Sequence, residues 1–304
     1  MTRKYKSKNI NDGIHGLMVI PALVIAIIDT PQFQRLRRLL QTGCGHRVYP
    51  SATHTRFEHS IGKIFHQTSK LKDKNSISFC FQKGVGHLAA LYGQLLQKKF
   101  PHLNITDKDI LCLQIAGTCH DLGHGPESHL YEKYVNECHP EFHYTHEENS
   151  ILMFRHLIKS NGLTKILSDH GIDEVDETFI EELIGGPLDK VTRLPLKSKF
   201  EIDAENWPYK GRPKEKSFLY EIVANKVSGI DVDKWDYLNR DASNFNIKAR
   251  YFDYERYMQY SKVVMGRNGL LTIAIPIKEK ELVEVMITVK KFSIFFVPLG
   301  LFFF

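Results

Sequence analysis

The chain has 304 residues, a net charge of +6 and a pI near 8.9. Its 42 % hydrophobic and 25 % charged content is the profile of an ordinary soluble globular chain able to bury a core. The mild basic excess is compatible with a polyanionic ligand such as a nucleotide or nucleic acid.

Five cysteines, Cys44, Cys80, Cys112, Cys119 and Cys138, are odd in number and lack C-x-x-C spacing. That pattern predicts reduced thiols in an intracellular protein rather than a disulfide framework. The opening "MTRKYKSKNINDG" has no apolar core of a signal peptide. No apolar run approaches the ~20 residues of a membrane span, and no membrane partner is expected.

In chain order, "LVIAIIDTPQFQRLRRLLQTG" carries apolar residues near the helical period and reads as helix, with Pro31 in a first turn and Gly43 as a stop. Residues 63–84 break the pattern: they are polar, rich in Lys and Ser, and end in "FCF" before the closing "QKG". "TDKDILCLQIAGTCHD" predicts a helix opened by a capping box, Thr106 with Asp109. "SFLYEIVANK" and "GIDVDKWDYLNRD" also read as helices. Alternation over 269–277, "GLLTIAIPI", predicts a single edge strand. The fold class is therefore all-α, with a minor β element near 269–277. The tail 292–304, "FSIFFVPLGLFFF", has no polar pattern of its own.

"GTCHDLGHGPESH" raises the chemical question. His120 and Asp121 are neighbours, and neighbours on a regular helix do not face each other. Gly123, Gly125 and Pro126 end the helix here, so the last turn can let both side chains reach one ion. Further ligands must come from elsewhere, and imidazoles with carboxylates suit Fe, Zn or Mn. "THTRFEHS" offers His59, with Arg56 three residues earlier on the same helical face. "GIDVDKWDYLNRD" places Asp233, Tyr237 and Asp241 at four-residue steps, with Lys234 beside them. His124, His129 and His146 are candidate acids and bases near neutral pH. An isolated His-Asp pair is a weak signal. The order H…HD…D with Gly-x-Gly-Pro following is far more specific.

These segments resemble the HD-domain phosphohydrolases, and within them the animal deoxynucleoside triphosphate triphosphohydrolases of the sterile-alpha-motif and HD-domain type. The likeness runs through "INDGIHG", "IIDTPQFQRLR", "RFEHSIG", "QIAGTCHDLGHGPESH", "FRHLIKSNG", "WPYKGRP", "KSFLYEIVANK" and "GIDVDKWDY". It implies an HD domain over 1–291, interrupted at 63–84, followed by a non-family tail at 292–304. It also implies hydrolysis of deoxynucleoside triphosphates to deoxynucleoside and inorganic triphosphate. The implied metal ligands are His59, His120, Asp121 and Asp233. His124, His129 and His146 would surround the reacting phosphate, with His146 as proton donor and Glu132, in place of the usual Asp, orienting it. Arg56 and Lys234 would hold the triphosphate, and Gln41, Tyr237 and Asp241 the deoxyribose.

The same resemblance implies a GTP or dGTP activator site at Lys8, Asp29, Gln34 and Arg37, and part of a second allosteric site at Arg256. It implies Mg²⁺ travelling with the nucleotide, a homo-oligomer, and a nuclear or cytoplasmic location. A catalytically impaired variant that binds nucleotides or single-stranded nucleic acid is the alternative. Thr42 and Glu127 replace a Leu and a Phe of the family. Residues 63–84 separate "EHSIG" from "VGHLAAL", contiguous in the family, and are expected to interrupt the helix bearing His59. The family's later helix and assembly lobe, and its sterile alpha motif, are expected to have no counterpart here.

Overall fold

Thr106 opens the central helix as its spacing predicts: its hydroxyl accepts from Asp109 N, and the Asp109 carboxylate accepts from Thr106 N. A computed structural model describes residues 8–12, 16–62, 84–196, 202–246 and 252–287. The tail and nearly all of the 63–84 segment lie outside the described residues.

The chain begins with an antiparallel hairpin, β1 (Lys8–Asp12) and β2 (Gly16–Ile20). There follow α1 (Ala22–Ile28), α2 (Pro31–Gln34), α3 (Arg56–Ile61), α4 (Val85–Lys99) and α5 (Asp107–Cys119). Next come α6 (His129–Cys138), α7 (His146–Ser160), α8 (Thr164–Asp169) and α9 (Glu174–Gly185). Last are α10 (Val232–Asn244), α11 (Tyr254–Tyr260) and a second antiparallel hairpin, β3 (Lys262–Met265) with β4 (Leu271–Ala274). The architecture is mainly helical.

Helix α5 is apolar almost all round, with Ile110, Leu113, Ile115, Ala116 and Cys119 buried, so it must lie inside. It packs against α4 on one side and α9 on another. The α4–α5 crossing is close: a Cβ on Gly86 would sit 2.2 Å from Thr118 Oγ1, so only glycine fits there. Trp235 of α10, almost fully buried, packs on Tyr92 of α4 and Tyr257 of α11. That contact fixes α10 by its apolar face and leaves Asp233 and Tyr237 on the opposite one.

Three sequence expectations are corrected. Residues 23–43 do not form one helix. Thr30 is extended, as the residue before a proline is pushed to be, and Pro31 starts a new short helix that passes into a 3-10 turn at Arg35–Arg38. "SFLYEIVANK", residues 217–226, does not form an α-helix: its first five residues end a 3-10 segment, Lys214–Glu221. Tertiary bonds override its propensity: Ser217 Oγ donates to Leu271 O, and Tyr220 OH to Glu182 Oε2. The 269–277 strand is shorter and has a partner, β3, and β1–β2 form a second sheet.

The chain leaves α3 at Gly62 and re-enters α4 at Gly84. A Cβ on Gly84 would fall 2.0 Å from Gly62 N, so the two ends of the inserted segment touch. Helix α3 closes with Gly62 N donating to Glu58 O, and α4 opens with Leu88 N donating to Gly84 O. The helix is thus split in two, as expected, while its halves stay adjacent. Cys44, Cys112, Cys119 and Cys138, the cysteines among the described residues, are unpaired. Among those residues no helix is long and apolar enough to cross a membrane.

Candidate metal centre

Helix α5 stops at Cys119, with His120 as its C-cap still in helical conformation and Asp121 in the turn beyond. Their ligand atoms nevertheless come within 4.8 Å of each other and of His59. His59, fully buried on α3, meets them: its Nε2 lies 3.2 Å from His120 Nε2, and 2.9 Å from Asp233 Oδ1 at the start of α10. Asp121 Oδ2 is 3.6 Å from His59 Nε2, and Asp121 Oδ1 is 3.4 Å from His120 Nε2.

Each imidazole is held by its other nitrogen. His59 Nδ1 donates to Asp236 Oδ2 at 2.7 Å, and His120 Nδ1 to Gly117 O at 2.8 Å. Both Nε2 atoms then carry lone pairs toward one point. Asp236 is itself gripped by Arg240 through two bonds of 2.7 and 2.6 Å. Two nitrogens bound to one tetrahedral ion at about 2.0–2.1 Å each would stand about 3.3 Å apart. The observed separation fits, and so does the donor set of two imidazoles and two carboxylates.

The electrostatics point the same way. Burial disfavours a charged His59, but its hydrogen bonds to Asp233 and Asp236 outweigh that and push it up to about 9. Burial opposes ionisation of Asp121 too, yet Arg56, His120 and His124 hold it well below the usual carboxylate range. The centre is a buried pocket that favours positive charge.

His124, His129 and His146 form a second cluster, with ligand atoms within 4.8 Å of one another. It suits an ion poorly. The His124 and His146 rings stack at 4.3 Å and 14°, so their lone pairs lie in nearly parallel planes and do not converge on one ion. It suits proton handling better. Burial and the nearby Arg56 push His124 down to about 3, leaving it neutral. Burial opposes charge on His146, but Glu132, at 2.9 Å from its Nδ1, raises it above the ordinary value. The longer Glu132 side chain thus closes the contact expected of an Asp. Glu147 adds a second carboxylate 3.3 Å from the same nitrogen.

Glu127 and Ser128, between the two clusters, both have left-handed φ, 60° and 57°. The turn is strained for non-glycine residues, and Ser128 is tied down by Arg56 Nε and by its own bond to Leu40 O. Glu127 accepts from Cys44 Sγ at 3.2 Å.

The two cations beside the centre are each paired with an aspartate. Arg56 is buried and donates to Asp121 Oδ2 at 2.7 Å, and Lys234 Nζ lies 3.1 Å from Asp231 Oδ2. Gln41 is buried beside them, its Oε1 without a partner. Tyr237 is half-buried, and burial pushes its phenol up. Asp241 is bonded by His54. On the outer surface Gln34 accepts from exposed Arg37, whose guanidinium covers the Phe57 ring, and Asp29 caps α1. Lys8 lies in β1. Arg256 is on α11, paired with Glu279 at 2.7 Å.

Sequence reasoning missed Asp236, Arg240 and His54. Asp236 and Arg240 were findable: they stand three and seven residues after Asp233, on adjoining positions of the same helix. Asp236→Asn should lower metal affinity roughly 10–100-fold while leaving the fold intact, because the amide cannot hold His59 as a carboxylate does. Metal titration of the variant against the parent checks this.

A sequence profile described as HD domain matches residues 81–240. The chain belongs to the HD domain family. His120, Asp121 and Asp233 fall inside the matched span, and His59 precedes it. An HD domain implies a divalent metal, and the His59–His120–Asp121 group offers a place for one. The chain is 48 % identical over 258 residues to the bovine protein named deoxynucleoside triphosphate triphosphohydrolase SAMHD1, covering 84 % of this chain and 38 % of that one. It is 45 % identical over 265 residues to the human protein of that name, covering 86 % and 37 %. The Dictyostelium discoideum homolog is 39 % identical over 261 residues, covering 85 % and 40 %. The chain thus spans about two-fifths of the length of these relatives.

Proposed function

We propose that this HD domain, taken as residues 1–291, hydrolyses deoxynucleoside triphosphates to deoxynucleoside and inorganic triphosphate, lowering the dNTP pool. One arrangement carries this reading: His59, His120, Asp121 and Asp233 face one point, and the three-histidine cluster is joined to it through His124 Nε2, 3.2 Å from Asp121 Oδ1. The names of the relatives supply the substrate class.

The donor set suits Fe, Zn or Mn, with Mg²⁺ accompanying the triphosphate. When bound, such an ion supplies Lewis acidity and a water of lowered pKa. The protein's own groups do the rest. His146 holds a proton because Glu132 and Glu147 favour its charged form, and with Nδ1 engaged by Glu132 its Nε2 is left to protonate the departing 5′-oxygen. His124 and His129 contact the phosphate. Arg56 and Lys234 exchange their aspartate partners for phosphate oxygens. Gln41, Tyr237 and Asp241 surround the deoxyribose. A guanine nucleotide at Lys8, Asp29, Gln34 and Arg37, a second nucleotide at Arg256, homo-oligomer assembly and nuclear location complete the reading. A single-stranded nucleic-acid or nucleotide-binding role without turnover is the second reading. The net charge of +6, with a pI near 8.9, favours it.

The test is the 304-residue chain, metal-loaded, with dGTP, Mg²⁺ and GTP, assayed for deoxyguanosine and triphosphate. No product from folded protein rejects the enzyme. Salt-dependent oligonucleotide binding without turnover supports the second reading. In the active case Glu132→Gln should lower kcat roughly 10–100-fold. Loss of its charge lowers the His146 pKa, so the alkaline limb of the rate profile should move to lower pH. An unmoved limb assigns the proton to another group.

A further inference from the structure

We propose that His54 is a positioning residue for sugar recognition: it fixes Asp241 so that this carboxylate receives a sugar hydroxyl of the bound deoxynucleotide. The inference rests on the reading that the site takes deoxynucleoside triphosphates.

His54 lies two residues before Arg56, in the extended approach to α3, and its side chain has no solvent exposure. Its Nε2 is 2.7 Å from Asp241 Oδ1. A carboxylate oxygen accepts, so in the neutral ring Nε2 carries the hydrogen and Nδ1 is left as an acceptor. That Nδ1 is buried and has no partner among the described residues. His54 is also joined to Gln41 through the backbone: Gln41 N donates to His54 O at 3.0 Å. Gln41 Oε1 and Thr42 Oγ1 are also buried without a partner among the described residues.

Two features give this group its chemistry. First, its place: Asp241 stands eight residues after Asp233 on α10, about 12 Å along the helix axis. It therefore lies beyond the metal centre, on the helix that supplies a ligand to it. Second, its polarity: the Asp241 carboxylate, His54 Nδ1 and Gln41 Oε1 all accept hydrogen bonds. Such a group repels phosphate and asks for a donor, which a sugar hydroxyl supplies. With one carboxylate oxygen held by His54, the carboxylate cannot rotate, and its other oxygen has a set direction. A site built on hydrogen bonds to a hydroxyl rejects the analogue that lacks it, and more strongly the more rigid the acceptor.

The experiment compares kcat/KM for dGTP and 2′,3′-dideoxy-GTP in the full chain, with calorimetric binding of deoxyguanosine and 2′,3′-dideoxyguanosine as a readout free of turnover. The parent should prefer the hydroxyl-bearing ligand by roughly tenfold or more. His54→Ala should bring the ratio to within about threefold by raising KM for dGTP, with metal content unchanged. His54→Gln, whose amide can still donate to Asp241, should recover much of the ratio, which a purely packing role would not predict. If His54→Ala fails to fold, His54→Gln and Asp241→Asn carry the comparison, and Asp241→Asn should collapse the ratio. A parent that discriminates and a His54→Ala that discriminates equally overturns the inference and leaves the proposed function standing. A metal-loaded parent that neither turns over nor binds any of these ligands overturns both.

Discussion

Replacing His59 with alanine is expected to strip the protein of its metal, lowering affinity at least about 100-fold. His59 supplies one of the two nitrogens that face each other at 3.2 Å, and it is the only ligand candidate on α3. Without it, His120 remains with two carboxylates, and Asp233 loses its 2.9 Å partner. The Asp236–Arg240 pair stays intact, so α10 should keep its place and the helical circular dichroism should persist. Elemental analysis of dialysed protein, parent against variant, gives the answer. Retention of a full equivalent by the variant would remove His59 from the ligand set and with it the geometric basis of the proposed site. The same measurement on the parent addresses the inserted segment. Gly62 and Gly84 touch, and the α3 end closes on Glu58 O, so metal held by the parent would show that α3 presents His59 with the segment in place.

The fold was legible where local chemistry decides it. The Thr106–Asp109 capping box, the glycines after Asp121 and the periodic face of α10 each act within one or two turns. They were readable as motifs, and the helices start and stop there. What was not legible depends on distant partners. The 3-10 form of Lys214–Glu221 comes from bonds to residues 182 and 271, and nothing inside the segment announces them. The N-terminal hairpin likewise rests on cross-strand pairing between Lys8–Asp12 and Gly16–Ile20. Pro31 is the instructive miss: read as a first-turn residue it is correct, but it starts a second helix and so ends the first.

The candidate site divides in the same way. His59, His120, Asp121 and Asp233 were nameable because H…HD…D is a pattern of residue types, and the structure brings them together. The supporting shell has no such pattern. Arg240 reaches Asp236 across one helical turn and could have been read from spacing, whereas His54 reaches Asp241 across 187 residues. The paired states of Arg56 and Lys234 were likewise invisible, because a sequence shows a cation's presence and not which carboxylate claims it. Glu132 shows the reverse case. A substitution that looked like a change of reach leaves the bond at 2.9 Å, since the flexible side chain absorbs the extra methylene.

Arg212→Met should destabilise the fold by about 3–5 kcal/mol without changing metal stoichiometry. Arg212 donates to Asp109 Oδ1 at 2.6 Å and to Asp176 Oδ1 at 2.7 Å, both carboxylates almost fully buried, and its Nη1 donates to Gly211 O. It also lies over the Phe179 ring at 4.3 Å. One guanidinium thus joins the first turn of α5, the first turn of α9 and the loop before the 3-10 segment. Methionine replaces the stem but not the charge, and leaves two buried carboxylates with the capping N–H groups of Thr106 and Asp173 and, as cations, only lysines: Lys216 beside Asp109, and Lys108 at 2.8 Å from Asp176. Lys108 is substantially exposed, so its pairing is screened and compensates little. The loss should appear as a lower urea midpoint with an unchanged slope, since the folded and unfolded states still differ by the same buried surface. Metal binding should survive because the network sits at the opening of α5 and the ligands at its close. The helix is 13 residues long, which puts about 20 Å between them. A variant that loses stability and metal together would mean that α5 transmits strain along its length. A variant that loses neither would mean that the lysines alone satisfy both aspartates.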